Sequence, residues 1–332
     1  MDPEFQTHVL DLPDSAAGLR LDQALAAALP QYSRARLQRW IRQGAVQANG
    51  RPVRARERVQ GGEQVTVRAE FPPDERVLPE SLPLSIVHED PALLVLNKPP
   101  GLVVHPGAGN REHTLQNALL AHDPLLSRVP RAGLVHRLDK DTSGLLVVAR
   151  TPTAHARLVT ALAGHEIERE YLALCLGAPT GGGRIEEPIG RHRRERTRMA
   201  VRGDGREAVT HYRLAERFRA HTLLRVRLET GRTHQIRVHL AHIGFPIVGD
   251  PVYGGRRRAL AGADPALQAA LEGFRRQALH AQSLRFDHPM TGKSVTFEGP
   301  VPADLERLLQ QLRTDARAHA VARMPSAQEQ RR

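Results

Sequence analysis

The stretch His136-Arg137-Leu138-Asp139-Lys140-Asp141-Thr142-Ser143-Gly144-Leu145-Leu146-Val147-Val148-Ala149 joins a charged turn to an apolar run. Residues 145–149 are unbroken apolar and short, which predicts a buried strand. The turn before them contains five ionisable side chains, and charges beside a buried strand need partners or a chemical task. A solvated turn is the usual interpretation of such a cluster. Here Val135 and Leu138 argue against it, because they tie the turn to the core.

Length and charge indicate the number of domains and the class of partner. The chain has 332 residues, 40% of them hydrophobic, and a net charge of +12. This length favours two domains, and this charge favours a polyanionic partner, nucleic acid before anionic membrane. The cations are nearly all arginine, since lysine occurs only at Lys98, Lys140 and Lys293. Each lysine lies in a motif-like loop, which suggests that a compact ammonium is needed there.

Cysteine use and hydropathy narrow the class of protein. Cys175 is the single cysteine, so the sequence offers neither an internal disulfide nor a cysteine metal cluster. Its leucine-rich surroundings predict a buried strand position. No segment is apolar enough to cross a bilayer and no signal-peptide pattern opens the chain, so we expect a cytoplasmic monomer without membrane contact. Whether residues 1–5 are native is left open.

Residues 18–70 form a small basic unit. A first helix begins at Leu21, and Ser33 is a candidate N-cap for a second helix. The second helix has apolar residues on one face and a stripe of arginines on the rest, namely Arg34, Arg36, Arg39 and Arg42. Asn49-Gly50 predicts a tight hairpin turn. This composition suits an RNA-binding module, although a capped helix with a solvated basic face has the same pattern.

The remainder of the chain divides into a linker, a large domain and a tail. Residues 71–83 are rich in proline and charge, and residues 84–313 contain recurring short apolar strands with fewer helices. The strands cluster and do not alternate strictly with helices. The pattern therefore predicts an α+β fold with a mixed, largely antiparallel sheet. Residues 314–332 are polar and small, so we expect a disordered tail.

Three further segments could contribute to a site. Tyr171 begins a strand, so its ring can be buried while its hydroxyl reaches a cleft. Arg232 stands before a helix whose exposed amides suit an anion, and Arg237 lies within that helix. Arg237 could point inward to an aspartate or outward to solvent, and the pattern leaves both open. Leu279 precedes a strand and is expected to pack.

The histidines raise the possibility of a metal site. His234, His239 and His242 lie on or near one predicted helix, but their spacings do not make the HExxH pair and the helix has no glutamate. No glycine-rich phosphate loop is present either. The sequence therefore implies neither a metal nor a nucleotide cofactor.

Four segments in order resemble the RluA family of pseudouridine synthases. They are residues 97–106, 136–144, 169–171 and 231–239. Residues 19–50 resemble the S4-like RNA-binding domain, which is named after a ribosomal protein. Residues 103–110 with 117–120, and residues 190–192 with 196–201, are similar to the RluD type of the family. The resemblance implies isomerisation of specific uridines to pseudouridine in 23S (large-subunit) ribosomal RNA, without a cofactor.

The resemblance also implies roles for particular residues. Asp139 would be the catalytic carboxylate, with Asp141 ranked well below it, and Arg237 would keep Asp139 ionised, with Arg232 the weaker candidate. Tyr171 would stack on the flipped base or relay a proton, and Leu279 would form an apolar floor. Arg137 would fill the space that the base leaves. The implied substrate-binding residues are Arg137, Leu279, Arg232, Lys98, Lys140 and His136, with the two lysines holding phosphates or bracing the catalytic loop.

Two other classes of protein stay open at this point. An RNA chaperone or assembly factor would need no catalytic carboxylate, and a metal-dependent RNA hydrolase would use the histidines. The sequence also leaves open whether the substrate is free rRNA or an assembling large subunit, and which uridines are modified. It does not decide whether Asp139 attacks the sugar or removes a proton.

Overall fold

The computed structural model describes residues 4–30, 32, 34–71, 77–107, 110–195, 197–254, 260 and 262–321. The predicted N-cap Ser33 lies outside these ranges. The described residues form one hydrophobic core in the N-terminal unit and a further core on each face of a central sheet.

The N-terminal unit is a four-stranded antiparallel sheet covered by two helices. Its elements are β1 (Glu4–Asp11), α1 (Leu21–Ala28), α2 (Arg34–Arg42), β2 (Val46–Ala48), β3 (Arg51–Pro52) and β4 (Gln64–Phe71). The strand order is β1-β4-β2-β3. The unit therefore begins before residue 18, where the sequence analysis placed its start. That boundary was wrong because β1 can be recognised as part of the unit only through its pairing with β4, which is distant in sequence.

Local sequence explains the other N-terminal elements. Asn49 and Gly50 have φ angles of 49° and 75°, as the predicted two-residue turn between β2 and β3 requires. Helix α2 buries Leu37, Trp40 and Ile41 on one face, which confirms the expected apolar stripe.

The larger unit is built on a nine-stranded mixed sheet. Its strands are β5 (Ile86–Glu89), β6 (Leu93–Lys98), β7 (Ser143–Ala149), β8 (Glu168–Leu176), β9 (Gly183–Glu186), β12 (Val209–Arg217), β13 (His221–Leu228), β14 (Leu279–Asp287) and β15 (Ser294–Glu298). A separate ribbon contains β10 (Ile189–Arg191) and β11 (Met199–Val201). The order is β5-β6-β7-β14-β8-β13-β12-β9, with β15 also paired to β14. Among the described strand pairs only β7 and β14 run parallel, which confirms the α+β prediction.

Helices cover the sheet on both faces. They are α3 (Leu115–His122), α4 (Pro152–Ala163), α5 (Gln235–His242), α6 (Pro265–Gly273) and α7 (Ala303–Val321). Strand β7 is buried along its whole length, and alternate residues enter different cores: Leu146 packs with α3, whereas Val147 packs with α4. This two-sided burial explains why residues 145–149 are continuously apolar.

Part of the segment that was predicted to be a disordered tail is helical. Helix α7 continues through residue 321, so the prediction of disorder was wrong for residues 314–321. Asp315 is buried and accepts two hydrogen bonds from Arg219, at 2.7 and 2.8 Å. Because an ion pair and not apolar spacing holds this end of the helix, hydropathy gave no sign of it. The rest of the predicted tail, residues 322–332, lies outside the described residues.

The parallel pairing of β7 with β14 determines which chain segments meet at one edge of the sheet. Ser143 at the start of β7 is in register with His280 near the start of β14, so the segments before both strands reach the same edge of the sheet. Asp139 and Leu279 are thereby brought together. Strand β8 lies beside β14, with Tyr171 opposite Ala281. Within the described residues, no helix is both long enough and apolar enough to span a bilayer.

Candidate active site

A cavity of about 540 Å³ opens at this edge of the sheet. It is lined by the charged turn before β7, the first half of β8, the loop that leads into α5, and Leu279. Its volume lies in the range of ordinary small-ligand sites, which are a few hundred cubic ångströms. His105 also lines the cavity. The cavity therefore brings together residues from all four sequence segments that carried the resemblance.

Asp139 and Arg237 meet at the cavity floor, although 98 residues separate them in sequence. Nη1 of Arg237 donates a hydrogen bond to Oδ2 of Asp139 over 3.0 Å. The Arg237 side chain is only 5% exposed and that of Asp139 is 17% exposed. The inward orientation of Arg237 that the sequence left open is therefore the observed one.

A second carboxylate holds Arg237 in place. Asp250 accepts hydrogen bonds from Nε and Nη2 of Arg237, at 2.7 and 2.9 Å, and from the backbone N–H groups of Val252 and Tyr253. Burial alone would lower the pKa of Arg237, but the contacts with Asp250 and Asp139 outweigh it and raise this pKa. Burial would raise the pKa of Asp250, yet the arginine lowers it. The cluster is thus one guanidinium shared by the carboxyl groups of Asp250 and Asp139.

Tyr171 and Leu279 form buried walls of the cavity, as the resemblance implied. Burial raises the pKa of Tyr171, so the side chain remains a neutral phenol. An aromatic face and an aliphatic surface next to a carboxylate suit a flat base carried on a sugar.

His234 is a neighbour of Asp139 to which the sequence analysis gave no role beyond a possible metal ligand. It has a left-handed backbone conformation with a φ of 58°. The hydroxyl oxygen of Tyr253 accepts a hydrogen bond from the N–H of Met199 and shares another with Nδ1 of His234, both over 2.8 Å. Nε2 of His234 lies 3.9 Å from Oδ1 of Asp139.

Three other predicted substrate residues also line the cavity. Arg137 is exposed at the rim, and Arg232 donates from Nε to the carbonyl of Glu207 over 2.9 Å. His136 accepts the N–H of Val147 at Nε2 over 3.1 Å. Burial, helped by the charge of Arg169, lowers the pKa of His136 to about 3, so this ring is a neutral wall.

The two lysines differ from each other. Lys98 is buried and donates to the carbonyls of Pro99, Leu102 and Lys140, at 2.8 to 3.0 Å. Burial lowers the pKa of Lys98 to about 7, opposed by the charges of Asp141 and Asp139. A phosphate contact for Lys98 was therefore a wrong prediction, and its alternative role as a brace of the loop fits. The Lys140 side chain is exposed, and its phosphate role stays a prediction.

The histidines do not assemble as a metal centre. His239 uses both ring nitrogens inside the fold, toward Thr210 and the carbonyl of Glu187, each at 2.9 Å. In the part of the chain that the structure describes, no three His, Cys, Asp or Glu side chains are grouped so that they could hold a metal ion.

The four arginines of α2 differ in the partners that they contact. Arg34 donates to Asp22, a carboxylate whose side chain is fully buried, over 2.8 Å. It therefore has a structural partner as well as an exposed surface. Arg42 is exposed and donates to the carbonyl of Gln38 over 3.3 Å. Arg36 lies 6.0 Å from the ring centre of Trp40, and Arg39 is exposed.

Sequence reasoning missed Asp250 and Arg169. Asp250 belongs to no quoted motif and becomes recognisable only through its contact with Arg237. Arg169 was quoted within a motif but received no role, although a signal was present. Residues two apart on a strand face the same side, so a buried Tyr171 implies that Arg169 faces the cavity as well. Both side chains do line it.

Comparison with known proteins agrees with this geometry. Residues 92–242 match the RNA pseudouridylate synthase family, and residues 19–65 match the S4 domain. The chain is 55% identical over 313 residues to ribosomal large subunit pseudouridine synthase D of Xanthomonas campestris pv. campestris, covering 94% of this chain and 95% of that one. It is 52% identical over 307 residues to the protein of the same name from Escherichia coli strain K12, with coverage of 92% and 94%.

Solved structures give the same answer. Human RNA pseudouridylate synthase domain containing 4 superimposes with a TM-score of 0.55 at 26% identity, covering 69% of this chain and 93% of that one. The human domain containing 1 protein gives a TM-score of 0.51, also at 26% identity, with coverage of 70% and 95%. Together with the two sequence relatives and the Asp139–Arg237 pair in its cavity, these matches show that the chain belongs to the RNA pseudouridylate synthase family and has an N-terminal S4 domain.

Proposed function

We propose that this protein isomerises specific uridines to pseudouridine in 23S, large-subunit ribosomal RNA. The observation that carries the proposal is the Asp139 carboxylate, held by a buried Arg237 at the floor of a cavity between Tyr171 and Leu279. The names of the sequence relatives, ribosomal large subunit pseudouridine synthase D, support the substrate class.

The chemistry requires one ionised carboxylate. The bond between the ribose carbon and the uracil nitrogen breaks, the base rotates, and a ring carbon joins the same sugar carbon. Asp139 serves either by attacking the sugar carbon or by taking a proton from the neighbouring sugar position. Arg237 holds the Asp139 carboxyl group by a hydrogen bond, and Asp250 keeps Arg237 in position. No atoms enter or leave the substrate overall, so the residues of the cavity suffice for the isomerisation.

The substrate uridine must leave its stack to reach Asp139, at a cost of roughly a few kcal/mol. Arg137 is exposed at the rim of the cavity and lies two residues before Asp139, so it is positioned to fill the vacated space. Tyr171 and Leu279 then enclose the everted base. The exposed arginines of α2 add phosphate contacts on the N-terminal domain, and Lys140 adds one beside the catalytic turn.

The proposal extends to the compartment, the oligomeric state and the form of the substrate. We propose that the enzyme acts as a cytoplasmic monomer on rRNA, either free or within an assembling large subunit. The excess of positive charge suits both forms of the substrate.

The direct experiment incubates the protein with unmodified 23S rRNA and maps pseudouridine by carbodiimide-blocked reverse transcription. We expect stops at a few defined uridines, none with Asp139→Asn, and none in 16S rRNA treated in parallel. If the RNA is bound but stays unmodified, the chain acts as a chaperone and the proposal is wrong. Cleaved RNA that is protected by a chelator would instead indicate a hydrolase.

A further inference from the structure

Arg169 lies in the wall of the cavity without a partner. Its residue is 7% exposed, and its Nε atom is buried with no hydrogen-bond acceptor. Across the described residues, no hydrogen bond or ion pair involves its guanidinium. This is unusual, because an unpaired buried charge destabilises a folded protein. The other buried arginine of the described residues, Arg237, by contrast has two carboxylate partners, Asp250 and Asp139.

The neighbouring acidic side chains are engaged elsewhere. Glu170 points to the other face of β8, where it pairs with Arg225 over 2.6 Å. Glu229 pairs with His211 over 2.5 Å, and Asp139 already accepts from Arg237. The positive charge of Arg169 therefore remains uncompensated by these nearby groups. It is felt inside the cavity, where it lowers the pKa of His136 and opposes the rise in the pKa of Tyr171.

The fold leaves room for this guanidinium. Arg169 and Tyr171 are two positions apart on β8 and face the same side, about 7 Å from each other along the strand. At Gly231, in the loop before α5, a Cβ atom would lie 2.8 Å from Nη1 of Arg169. Any side chain at position 231 would therefore displace the arginine. A glycine here keeps the guanidinium against the loop and within the cavity wall.

We propose that Arg169 binds a phosphodiester group next to the everted uridine. This inference rests on the proposed function, since it assigns a ligand to the same cavity. A phosphodiester is the anionic group of RNA, and the planar guanidinium is suited to bind it with two parallel hydrogen bonds. The short distance along β8 means that a nucleotide whose base touches Tyr171 can present its own phosphate to Arg169. The RNA then supplies a counter-charge for Arg169 that no described residue provides.

The first test replaces Arg169 with methionine, which keeps the length and removes the charge. On an RNA hairpin that contains one mapped target uridine, we expect KM to rise about 10- to 100-fold with little change in kcat, because a charged hydrogen-bonded contact is lost. Arg227→Met is the matched control. Arg227 lies on the exposed face of β13 opposite Glu170, so its loss should change KM far less. A fall in kcat with unchanged KM would contradict the proposal.

The second test removes the charge from the RNA. Methylphosphonate is placed singly at the linkages 5′ and 3′ to the target uridine, and KM is measured for each hairpin. For one of the two positions, the wild-type enzyme should lose about as much as Arg169→Met loses on normal RNA. The Arg169→Met enzyme should lose nothing further at that position. Additive losses at both positions would overturn the proposal.

Stability distinguishes a ligand contact from a structural role. An arginine without an internal partner should not be needed for folding, so Arg169→Met should melt at the same or a higher temperature than the wild type without RNA. A lower Tm, or failure to fold, would contradict the inference. Arg169→Lys keeps the charge and should recover part of the affinity.

The outcomes separate this inference from the proposed function. If the wild-type enzyme forms no pseudouridine, the proposed function is wrong. Equilibrium binding of the same normal and methylphosphonate hairpins would then still decide whether Arg169 contacts a phosphate.

Discussion

Asp22 and Asp139 are both bound by arginine, yet their surroundings differ. Asp22 in the N-terminal domain is fully buried and accepts hydrogen bonds from Arg20, Arg34 and Gln38. Burial would raise the pKa of Asp22, but these donors lower it. Asp139 in the larger domain is 17% exposed and accepts a side-chain hydrogen bond from Arg237 over 3.0 Å. Its nearest other cation candidate, His234, stands 3.9 Å away.

The difference indicates which carboxylate can react. The oxygen lone pairs of Asp22 are occupied by donors, so the group serves as a structural centre between α1 and α2. Asp139 lines the cavity, and within the described residues its Oδ1 atom accepts no hydrogen bond and lies 3.9 Å from Nε2 of His234. Asp250 resembles Asp22, because its two oxygens accept from Arg237 and from two backbone N–H groups. The satisfied carboxylates hold the fold, and the partly satisfied one is available for chemistry.

Among the residues around these aspartates, removal of Arg237 should have the largest effect. Arg237→Met leaves Asp139 and Asp250 without their shared cation, so we expect pseudouridine formation to fall at least about 100-fold. The free energy of unfolding in urea should fall by about 3–5 kcal/mol, as for other broken buried ion pairs. Arg34→Met is the matched control, since Arg34 pairs with Asp22 but is 43% exposed. Full activity in Arg237→Met would contradict the claim that Asp139 needs its contact with Arg237 in order to react.

A smaller effect is expected for Asp250→Asn. The amide keeps the shape and one acceptor oxygen but removes the charge that fixes Arg237. We expect kcat to fall about 10-fold and the free energy of unfolding to fall by about 1–3 kcal/mol. Single-turnover kinetics and urea unfolding measure the two quantities. An unchanged kcat would show that Asp139 alone is enough to position Arg237.

The Asp22→Asn variant is expected to lower stability without lowering kcat. It should lower the free energy of unfolding of the N-terminal domain by about 1–3 kcal/mol, because Arg20 and Arg34 lose a common anion. Its kcat on a saturating RNA hairpin should equal that of the wild type, and any change should be in KM. A large loss of kcat would mean that Asp22 is more than a structural centre.

A further effect concerns the dependence of stability on pH. The pKa of His136 is about 3 in the folded protein and near 6.5 in the unfolded chain. The unfolded state therefore binds the extra proton between these values, so stability rises with pH across this window and declines as pH falls from about 6.5 toward 3. His136→Asn should flatten the dependence of unfolding free energy on pH by up to about 1.4 kcal/mol per pH unit. An unchanged slope in urea titrations at pH 4.5 and 6 would show that His136 is not held neutral.

The sequence was sufficient for elements with local patterns. The unbroken run at residues 145–149 identified β7, and Asn49-Gly50 identified a hairpin turn. The resemblance then paired Asp139 with Arg237, and the contact is present. No periodicity could have done so, because the residues lie on a loop and a helix that meet only in the folded chain.

Features that depend on tertiary contacts were beyond the sequence. Lys98 looked like a phosphate ligand because its loop is motif-like, but the fold encloses its ammonium between three carbonyls. Strand β1 needs β4, and the last turns of α7 need the ion pair of Asp315 with Arg219. Each of these depends on a partner that is distant in sequence, and the residue type alone does not reveal it.

The central claim, that Asp139 is the reacting carboxylate, is tested most directly by a neighbouring pair of substitutions. Asp139→Asn and Asp141→Asn make the same chemical change two residues apart, but Asp139 lines the cavity and the Asp141 side chain does not. We predict that single-turnover pseudouridine formation falls at least about 10³-fold in Asp139→Asn and stays within about tenfold of the wild type in Asp141→Asn. Wild-type rates in Asp139→Asn, or equal inactivity in both variants, would contradict the claim.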